Sequence, residues 1–203
     1  GYAANCIKVL HSDHKSEGES MDYRVRATRN SLDEAFLVLL REKPLSQITI
    51  KELCTQAGID RSTFYRHYSS VADLMETEEQ NLLAELENRL ENHHVTMEET
   101  LLMVLEAIKN ESDRYAILFS EHGDATFPSR VLSVAYKHSQ GNLDELYPRL
   151  SPTKQRWLFD YVAYGLSAIW KDWIEDGMKE PVAEVAQFAT MLVECGVENV
   201  DGE

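Results

Sequence analysis

Three things are scarce in this sequence: cysteine, positive charge and long apolar runs. The 203 residues include three cysteines, Cys6, Cys54 and Cys195, and none falls in a CxxC or Cys/His spacing. This excludes a disulfide framework and a structural zinc site, and it fits a reducing compartment. No apolar run approaches the roughly 20 residues of a membrane-spanning helix, and the first residues lack a basic-then-apolar signal pattern. We therefore expect a cytoplasmic protein with no membrane partner and no bound metal.

Positive charge is scarce overall but not everywhere. Lys and Arg number 20 against 35 Asp and Glu, which gives a net charge of −15. A chain this acidic is poorly suited to coat nucleic acid without sequence preference, because such binding depends on neutralising phosphates. Residues 23–68, however, hold eight basic and five acidic residues, whereas residues 71–203 carry a net −16. The asymmetry indicates two parts with different partners.

Apolar residues make up 43% of the chain and recur mostly at helical spacing, so we predict an all-α fold. In the first helix pattern, from Arg24 onward, Leu32, Phe36 and Leu40 share one face. This helix should stop before Pro44, because the residue preceding a proline is pushed out of the helical region. Residues 1–21 lack such periodicity and end in a Ser/Gly/Glu stretch. We interpret them as an N-terminal extension, either disordered or of non-native origin.

Residues 49–67 contain the start and stop signals of two short helices joined by a tight turn. Thr49 and Glu52 form a capping-box pattern, in which each side chain accepts a hydrogen bond from the other residue's backbone N–H. Gly58 supplies the left-handed residue that ends this helix, and Asp60 is placed to cap the next. Two short helices with a glycine in the turn describe a helix-turn-helix.

The second helix of this motif turns Phe64 inward and exposes side chains that donate hydrogen bonds, two of them cationic. The exposed set consists of Arg61, Ser62, Thr63, Tyr65, Arg66 and His67. Such a surface suits phosphates and base edges. Because a recognition helix enters the major groove by its N-terminal end, we expect Arg61, Ser62 and then Thr63 to reach base edges.

This segment closely resembles the TetR family of bacterial transcriptional regulators. The resemblance rests on ITIKELCTQAGI at residues 48–59, on STFYRHY at residues 62–68, and on the Asp-Leu pair at 73–74. It implies an all-α homodimer that binds a palindromic double-stranded DNA operator. It also implies control by a small-molecule effector, with repression as the expected direction. The alternative is a TetR-like coactivator that works through a partner protein.

The resemblance also implies a domain division and a set of DNA contacts. Residues 22–70 correspond to the helix-turn-helix DNA-binding domain, and residues 71–203 to a larger helical domain that binds the effector and dimerises. In the family, the residues that match Thr49, Tyr65 and His67 commonly contact the DNA backbone.

One position departs from the family pattern. The family usually has a lysine at the start of the fourth helix, where this sequence has Val71. Val71 cannot supply the phosphate contact of that lysine, so we expect either weaker DNA binding or a phosphate contact from Arg26 or Lys51 instead.

Two segments of the C-terminal part suit assembly. Residues 152–176 are apolar on nearly all faces, so more than one face must be covered, and residues 181–195 offer a second apolar stripe. This agrees with the family's usual dimer, and we expect the homodimer to form through these two helices. The stretch from Gly165 to Met178 is also loosely similar to the C-terminal domain of a subgroup that includes regulators of dihydroxyacetone kinase.

Aromatic and polar residues of the C-terminal part are candidates for an effector pocket. They are Tyr115, Phe119, His122, Phe127, Tyr136, Tyr161 and Tyr164. Ordinary core and dimer packing is the competing interpretation for each of them. No GxSxG, HExxH, P-loop or dinucleotide fingerprint occurs, so we expect no enzymatic activity and no cofactor. Most of the many carboxylates are expected on solvated helix faces.

Overall fold

The computed structural model describes residues 3–91, 95–139 and 147–197, and within these ranges the side chains of residues 23–195. The described ranges form nine α-helices, a short 3₁₀ helix at Leu45–Gln47 and no β-strand. The α-helices are α1 (Ala3–Glu42), α2 (Ile50–Ala57), α3 (Arg61–Tyr65), α4 (Val71–Leu90), α5 (Met97–Asn110), α6 (Ser112–Leu118), α7 (Phe127–His138), α8 (Pro152–Glu175) and α9 (Val182–Val197). The all-α prediction is confirmed.

Local sequence signals explain several helix starts. Thr96 and Glu99 form a capping box at α5: the Glu99 N–H donates to Thr96 Oγ1 at 3.3 Å, and the Thr96 N–H donates to Glu99 Oε2 at 2.9 Å. At α8, Ser151 Oγ accepts from the Lys154 N–H at 3.4 Å, and Pro152 occupies the first turn, where a missing N–H costs nothing. These interactions satisfy N–H groups that the start of a helix otherwise leaves unpaired.

The first helix is longer than the sequence led us to expect. It begins at Ala3, so residues 3–21 continue the helix predicted from Arg24 instead of lacking regular structure. Extending an existing helix needs only one more fixed residue per added hydrogen bond, and this stretch contains alanine, leucine, lysine and glutamate, which favour the helix. The polar sequence around Gly18 does not interrupt it. The helix ends at Glu42, before Pro44, as predicted.

The chain divides into two compact units, the first ending at Met75. In the first unit, α1 packs against α2 and α2 against α3. Five side chains that are fully buried form the centre of its core. They are Leu32, Phe36 and Leu40 of α1, Leu53 of α2 and Phe64 of α3. The face predicted for α1 is therefore the buried one.

The second unit begins at Glu76. Here α5 packs against α9, and α7 against α8. Its largest fully buried side chain is Trp170 of α8, accompanied by Phe127 of α7 and, at 2% exposure, Tyr115 of α6. Among the described residues, no helix combines the length and the apolar character needed to cross a membrane.

Helix α7 ends at His138, and residues 140–146 lie outside the described part. Two acids of α4 are exceptions to the expectation that most carboxylates lie on solvated helix faces: Glu78 and Glu79 are 1% and 2% exposed. Glu78 lies four residues from both Leu74 and Leu82, so helical spacing puts it on their buried face.

Candidate nucleic-acid interface

The capping box predicted at Thr49 is present and fixes the start of α2. The Glu52 backbone N–H donates to Thr49 Oγ1 at 3.2 Å, and the Thr49 backbone N–H donates to Glu52 Oε2 at 3.0 Å. Lys43 Nζ donates to Glu52 Oε1 at 2.6 Å. These bonds, the one from Lys43 first, lower the pKa of the Glu52 carboxyl to about 2, so it stays ionised. Thr49 is exposed at a helix end whose geometry is fixed.

The turn between α2 and α3 depends on Gly58. Its φ of 68° and ψ of 31° lie in the left-handed region. This conformation is unfavourable for residues that have a Cβ atom. The Ile59 N–H donates to the Cys54 carbonyl at 3.0 Å and closes α2. Cys54 is buried, and desolvation raises the pKa of its thiol, as expected for a small packing residue.

Asp60 caps α3 and orients residues that were expected to read DNA. Its Oδ1 accepts hydrogen bonds from the Ser62 hydroxyl and the Thr63 backbone N–H, both at 2.7 Å. These bonds, the one from Ser62 first, lower the pKa of the Asp60 carboxyl. Arg66 Nη2 donates to Thr63 Oγ1 at 2.7 Å, which places the guanidinium beside that hydroxyl. The first turn of α3 therefore presents its hydroxyls in defined positions.

Helix α3 turns the predicted DNA-reading residues away from the core. Arg61, Ser62, Tyr65 and Arg66 are exposed, and Thr63 and His67 are half-buried. On the opposite side, Phe64 is fully buried and Tyr68 nearly so. The Tyr65 ring meets Phe64 edge to face at 5.6 Å, yet 59% of its surface stays exposed. The residue is thus supported by the core and available to a partner.

Two cations of the first unit, Lys51 and Arg61, are exposed and form no ion pair within the described part of the chain. Arg26 is exposed on α1. Val71, at the position where the family has lysine, is half-buried and offers no charge. A cation without a carboxylate partner is available to a phosphate.

Three of the candidate effector residues lie together in the second unit. The rings of Tyr115 and Phe119 meet edge to face at 5.8 Å, and Phe127 stacks on Tyr115 at 6.3 Å. All three are buried, and desolvation raises the pKa of Tyr115 to about 12. His122 follows this cluster along the chain and is half-buried, with Nε2 3.8 Å from Glu121 Oε1.

The other candidate effector residues lie on α7 and α8. Tyr136 meets Phe159 edge to face at 5.1 Å, beside an open cavity of about 310 Å³. Tyr161 and Tyr164 are 66% and 62% exposed. The structure thus brings Tyr115, Phe119 and Phe127 together, and it leaves Tyr161 and Tyr164 on the surface.

Helices α8 and α9 each expose a group of large apolar side chains, together termed the α8/α9 face. It consists of Trp157, Tyr161 and Tyr164 on α8 and of Phe188, Met191 and Leu192 on α9, each at least 40% exposed. The spacings of three and four put the residues of each helix on one side. Gly165 lies beside them with no atom within 4 Å of where a Cβ would stand, so a second helix can approach closely. Grouped exposed apolar side chains of this kind mark interaction surfaces.

Sequence reasoning missed two buried ion pairs that tie α4 to α6 and α7. Arg114 Nη2 donates to Glu78 Oε2 at 3.1 Å, and Arg130 Nη1 donates to Glu79 Oε2 at 2.5 Å. The Arg130 guanidinium also lies 5.9 Å above the centre of the Phe127 ring. The register of the two acids within α4 was the available signal for their burial.

The chain combines a helix-turn-helix, formed by α2 and α3, with a helical second unit. Helical transcriptional regulators have this arrangement. The model of a family described as transcriptional regulator C-terminal region matches residues 95–195. The uncharacterised HTH-type transcriptional regulator YxbF of Bacillus subtilis (strain 168) is 36% identical over 84 residues. That match covers 41% of this chain and 22% of YxbF, so the chain spans about a fifth of the length of this curated relative.

Two solved structures have a similar fold. A TetR transcriptional regulator from Streptococcus agalactiae 2603V is 23% identical, with a TM-score of 0.66 and coverage of 87% of this chain and 98% of that one. The dihydroxyacetone kinase operon activator DhaS is 17% identical, with a TM-score of 0.55 and coverage of 84% and 96%. The chain belongs to the TetR family of transcriptional regulators. The family indicated by residues 48–74 is confirmed.

Proposed function

We propose that the protein is a sequence-specific DNA-binding repressor that acts as a homodimer and responds to a small-molecule effector. The observation that carries this proposal is the exposed side of α3, where cationic and hydroxyl groups lie opposite the buried Phe64. The capped ends of α2 and α3 hold that surface rigid. Repression is the simpler direction, because a protein that occupies an operator blocks transcription without further contacts. The site of action is then the bacterial cytoplasm.

Base readout belongs to the N-terminal end of α3. Arg61 is exposed and, among described residues, without an ion pair, so its guanidinium is available to donate two hydrogen bonds to a guanine. Ser62 and Thr63 stand beside it, held by Asp60. Loss of one bidentate base contact costs about 1–3 kcal/mol at one position of the site.

Phosphate contacts surround this reading end. The proposed set is Arg26, Thr49, Lys51, Tyr65, Arg66 and His67, which are exposed except for the half-buried His67. Such contacts position a protein on the duplex without reading sequence. Removing one of them should therefore weaken binding to all sequences alike.

A second copy of the chain is the proposed occupant of the α8/α9 face. Two copies related by a two-fold axis would cover the same apolar side chains on each other, which is the self-complementary arrangement of most homodimers. A dimer also places two recognition helices on successive major grooves, about 34–36 Å apart. Tyr164→Glu should therefore yield monomers in sedimentation experiments and weaken operator binding. Asn81→Glu, which adds the same charge at an exposed position of α4, should do neither.

Effector control is proposed for the helical domain, through the aromatic cluster at Tyr115 and Phe119 or the cavity beside Tyr136. An effector changes operator affinity only as far as it binds one conformation of the dimer better than another. Tyr136→Phe should change the effector's influence on operator affinity and leave affinity without effector unchanged. His122 and the exposed Tyr161 and Tyr164 complete the candidate set.

The decisive experiment is repeated selection of duplexes from a random DNA library with the full chain. We expect enrichment of a palindrome, and we expect its advantage over random DNA to persist across a salt series. Arg61→Ala should relax the preference at one base pair in each half-site, whereas Tyr65→Phe should weaken binding uniformly. Equal affinity for selected and random DNA would overturn sequence-specific binding. Increased transcription from an operator-bearing template would overturn repression.

A further inference from the structure

Helix α1 carries a cation next to the proposed phosphate contacts that was not among the predicted site residues. Arg29 is exposed and, in the described part of the chain, forms no ion pair. After α3, Arg66 donates to the neutral hydroxyl of Thr63, and His67 follows it directly. Within the described ranges, no carboxylate lies at hydrogen-bond distance from the side chain of Arg29, Arg66 or His67.

A hydrogen bond between α1 and the end of α3 brings these groups together. Tyr68 Oη donates to Asp33 Oδ1 at 3.2 Å, and the ring centres of Tyr68 and His67 are 6.3 Å apart. Asp33 lies four residues after Arg29, one turn along the same face of α1. Arg29 therefore lies beside His67, at the place where α1 meets the end of the recognition helix.

The two guanidinium groups make the protonated form of His67 unfavourable in the free protein, because like charges in proximity repel. An anion placed among the three groups would remove the repulsion and accept their hydrogen bonds, and a phosphate oxygen suits both guanidinium and imidazolium donors. We propose that Arg29, Arg66 and His67 together bind one phosphate of the operator backbone, which makes Arg29 a DNA-contacting residue. The inference rests on the proposed DNA-binding function and adds a contact to it.

Proton uptake follows from the same geometry. Burial, then Arg29, then Arg66 hold the pKa of His67 below its usual value in the free protein, so the ring is mostly neutral at neutral pH. A bound phosphate reverses the local charge and raises the pKa of His67, so binding takes up a proton. Operator affinity should therefore increase as the pH falls through the range just below the usual histidine pKa of about 6.5.

The helices of the first unit carry other charged groups besides Arg29 and Arg66. On α1 and α2 they include Arg26, Asp33, Lys51 and Glu52, and around α3 and α4 they include Asp60, Arg61 and Asp73. Each of the four acids accepts hydrogen bonds: Asp33 from Tyr68, Glu52 from Lys43 and Thr49, Asp60 from Ser62 and Thr63, and Asp73 from Ser69. Hydrogen bonding lowers the pKa values of Glu52, Asp60 and Asp73, so these three acids respond to pH below the range of His67.

The test measures the affinity of the full chain for its selected duplex by fluorescence anisotropy, across a salt series at about pH 6 and about pH 8. Arg29→Gln should lower affinity roughly threefold to tenfold for operator and random DNA alike, and should reduce the slope of log K against log salt by about 1. Arg29→Lys should keep the slope. Arg149→Gln, an exposed arginine of the second unit, should resemble the unaltered protein. His67→Gln should remove the difference between the two pH values.

The outcomes separate this inference from the proposed function. If the unaltered chain selects an operator but Arg29→Gln keeps its slope and its affinity, the phosphate site at Arg29 is refuted and sequence-specific binding stands. If the chain selects no DNA at all, both are refuted. Thermal unfolding of Arg29→Gln should match that of the unaltered protein, because an exposed side chain without an ion pair adds little stability. A large drop would instead assign Arg29 a structural role.

Discussion

Arg130→Met should destabilise the protein, because it leaves the buried Glu79 carboxylate without its cation. Glu79 is 2% exposed, and its Oε2 lies 2.5 Å from Arg130 Nη1. Its second oxygen, Oε1, is buried and has no hydrogen-bond donor among the described residues. Burial already raises the pKa of Glu79, outweighing the opposite effect of Arg130. Without Arg130, nothing offsets that burial.

The magnitude follows from the environment of each partner. Removing one partner of a buried ion pair typically costs about 3–5 kcal/mol. Arg130 keeps 35% of its side chain exposed, so water already screens part of its attraction to Glu79. We therefore expect the free energy of unfolding to fall by about 2 kcal/mol. An acid whose folded pKa is raised favours folding below its unfolded pKa, and this contribution is lost as the pH rises through the folded pKa. The Arg130→Met defect should therefore be largest near pH 8 and smaller near pH 5.

Urea unfolding followed by circular dichroism measures this loss, with two comparison variants. Glu79→Leu combined with Arg130→Met should recover much of the stability, since removing both charges leaves no unpaired group. Lys137→Met breaks the exposed pair with Glu87 and should cost less than about 1 kcal/mol. The reasoning is refuted if the double variant is as unstable as Arg130→Met alone, or if Arg130→Met and Lys137→Met are indistinguishable.

Three further variants test the local geometry. Gly123→Ala should lower the melting temperature. The Cβ of the new alanine would lie 2.2 Å from the Leu118 carbonyl oxygen, so the backbone must shift. An unchanged melting temperature would contradict that close approach. Thr49→Val should cost about 1 kcal/mol through loss of the cap and should weaken DNA binding in the same anisotropy assay. Glu52 has a folded pKa of about 2, so its contribution to stability is present above its unfolded pKa and is lost as the pH falls towards about 2. Glu52→Gln should flatten acid unfolding in that range.

The helix starts of the first unit could be predicted because they depend on neighbours in sequence. A capping box needs only Thr49 and Glu52, three residues apart, and the turn needs only a glycine at position 58. Asp60 likewise bonds residues within its own next turn. The same is true of the outward side of α3, which follows from helical periodicity once Phe64 is known to point inward.

The ion pairs of α4 could not be predicted in the same way. Glu78 and Arg114 are 36 residues apart, and Glu79 and Arg130 are 51 apart, so their pairing depends on how α4, α6 and α7 pack. The spacing of Glu78 from Leu74 and Leu82 was a signal of its burial that the sequence analysis did not use, and the cation that makes this burial tolerable lies on another helix. For the same reason, composition alone does not separate the buried Tyr115 from the exposed Tyr161.

The net charge of the first unit understates its capacity to bind phosphate, because several of its acids form hydrogen bonds within the fold. Glu52 and Asp60 cap helices, where the positive end of the helix dipole also stabilises them, and Asp33 accepts from Tyr68. The cations are used differently: Lys51 and Arg61 are exposed and form no ion pair within the described ranges. The exposed cations therefore attract the phosphates of an approaching duplex almost undiminished. The acids that cap the helices repel those phosphates only weakly. A modest +3 over residues 23–68 is then enough for a DNA-binding surface, provided the strongly acidic remainder of the chain stays away from the phosphates.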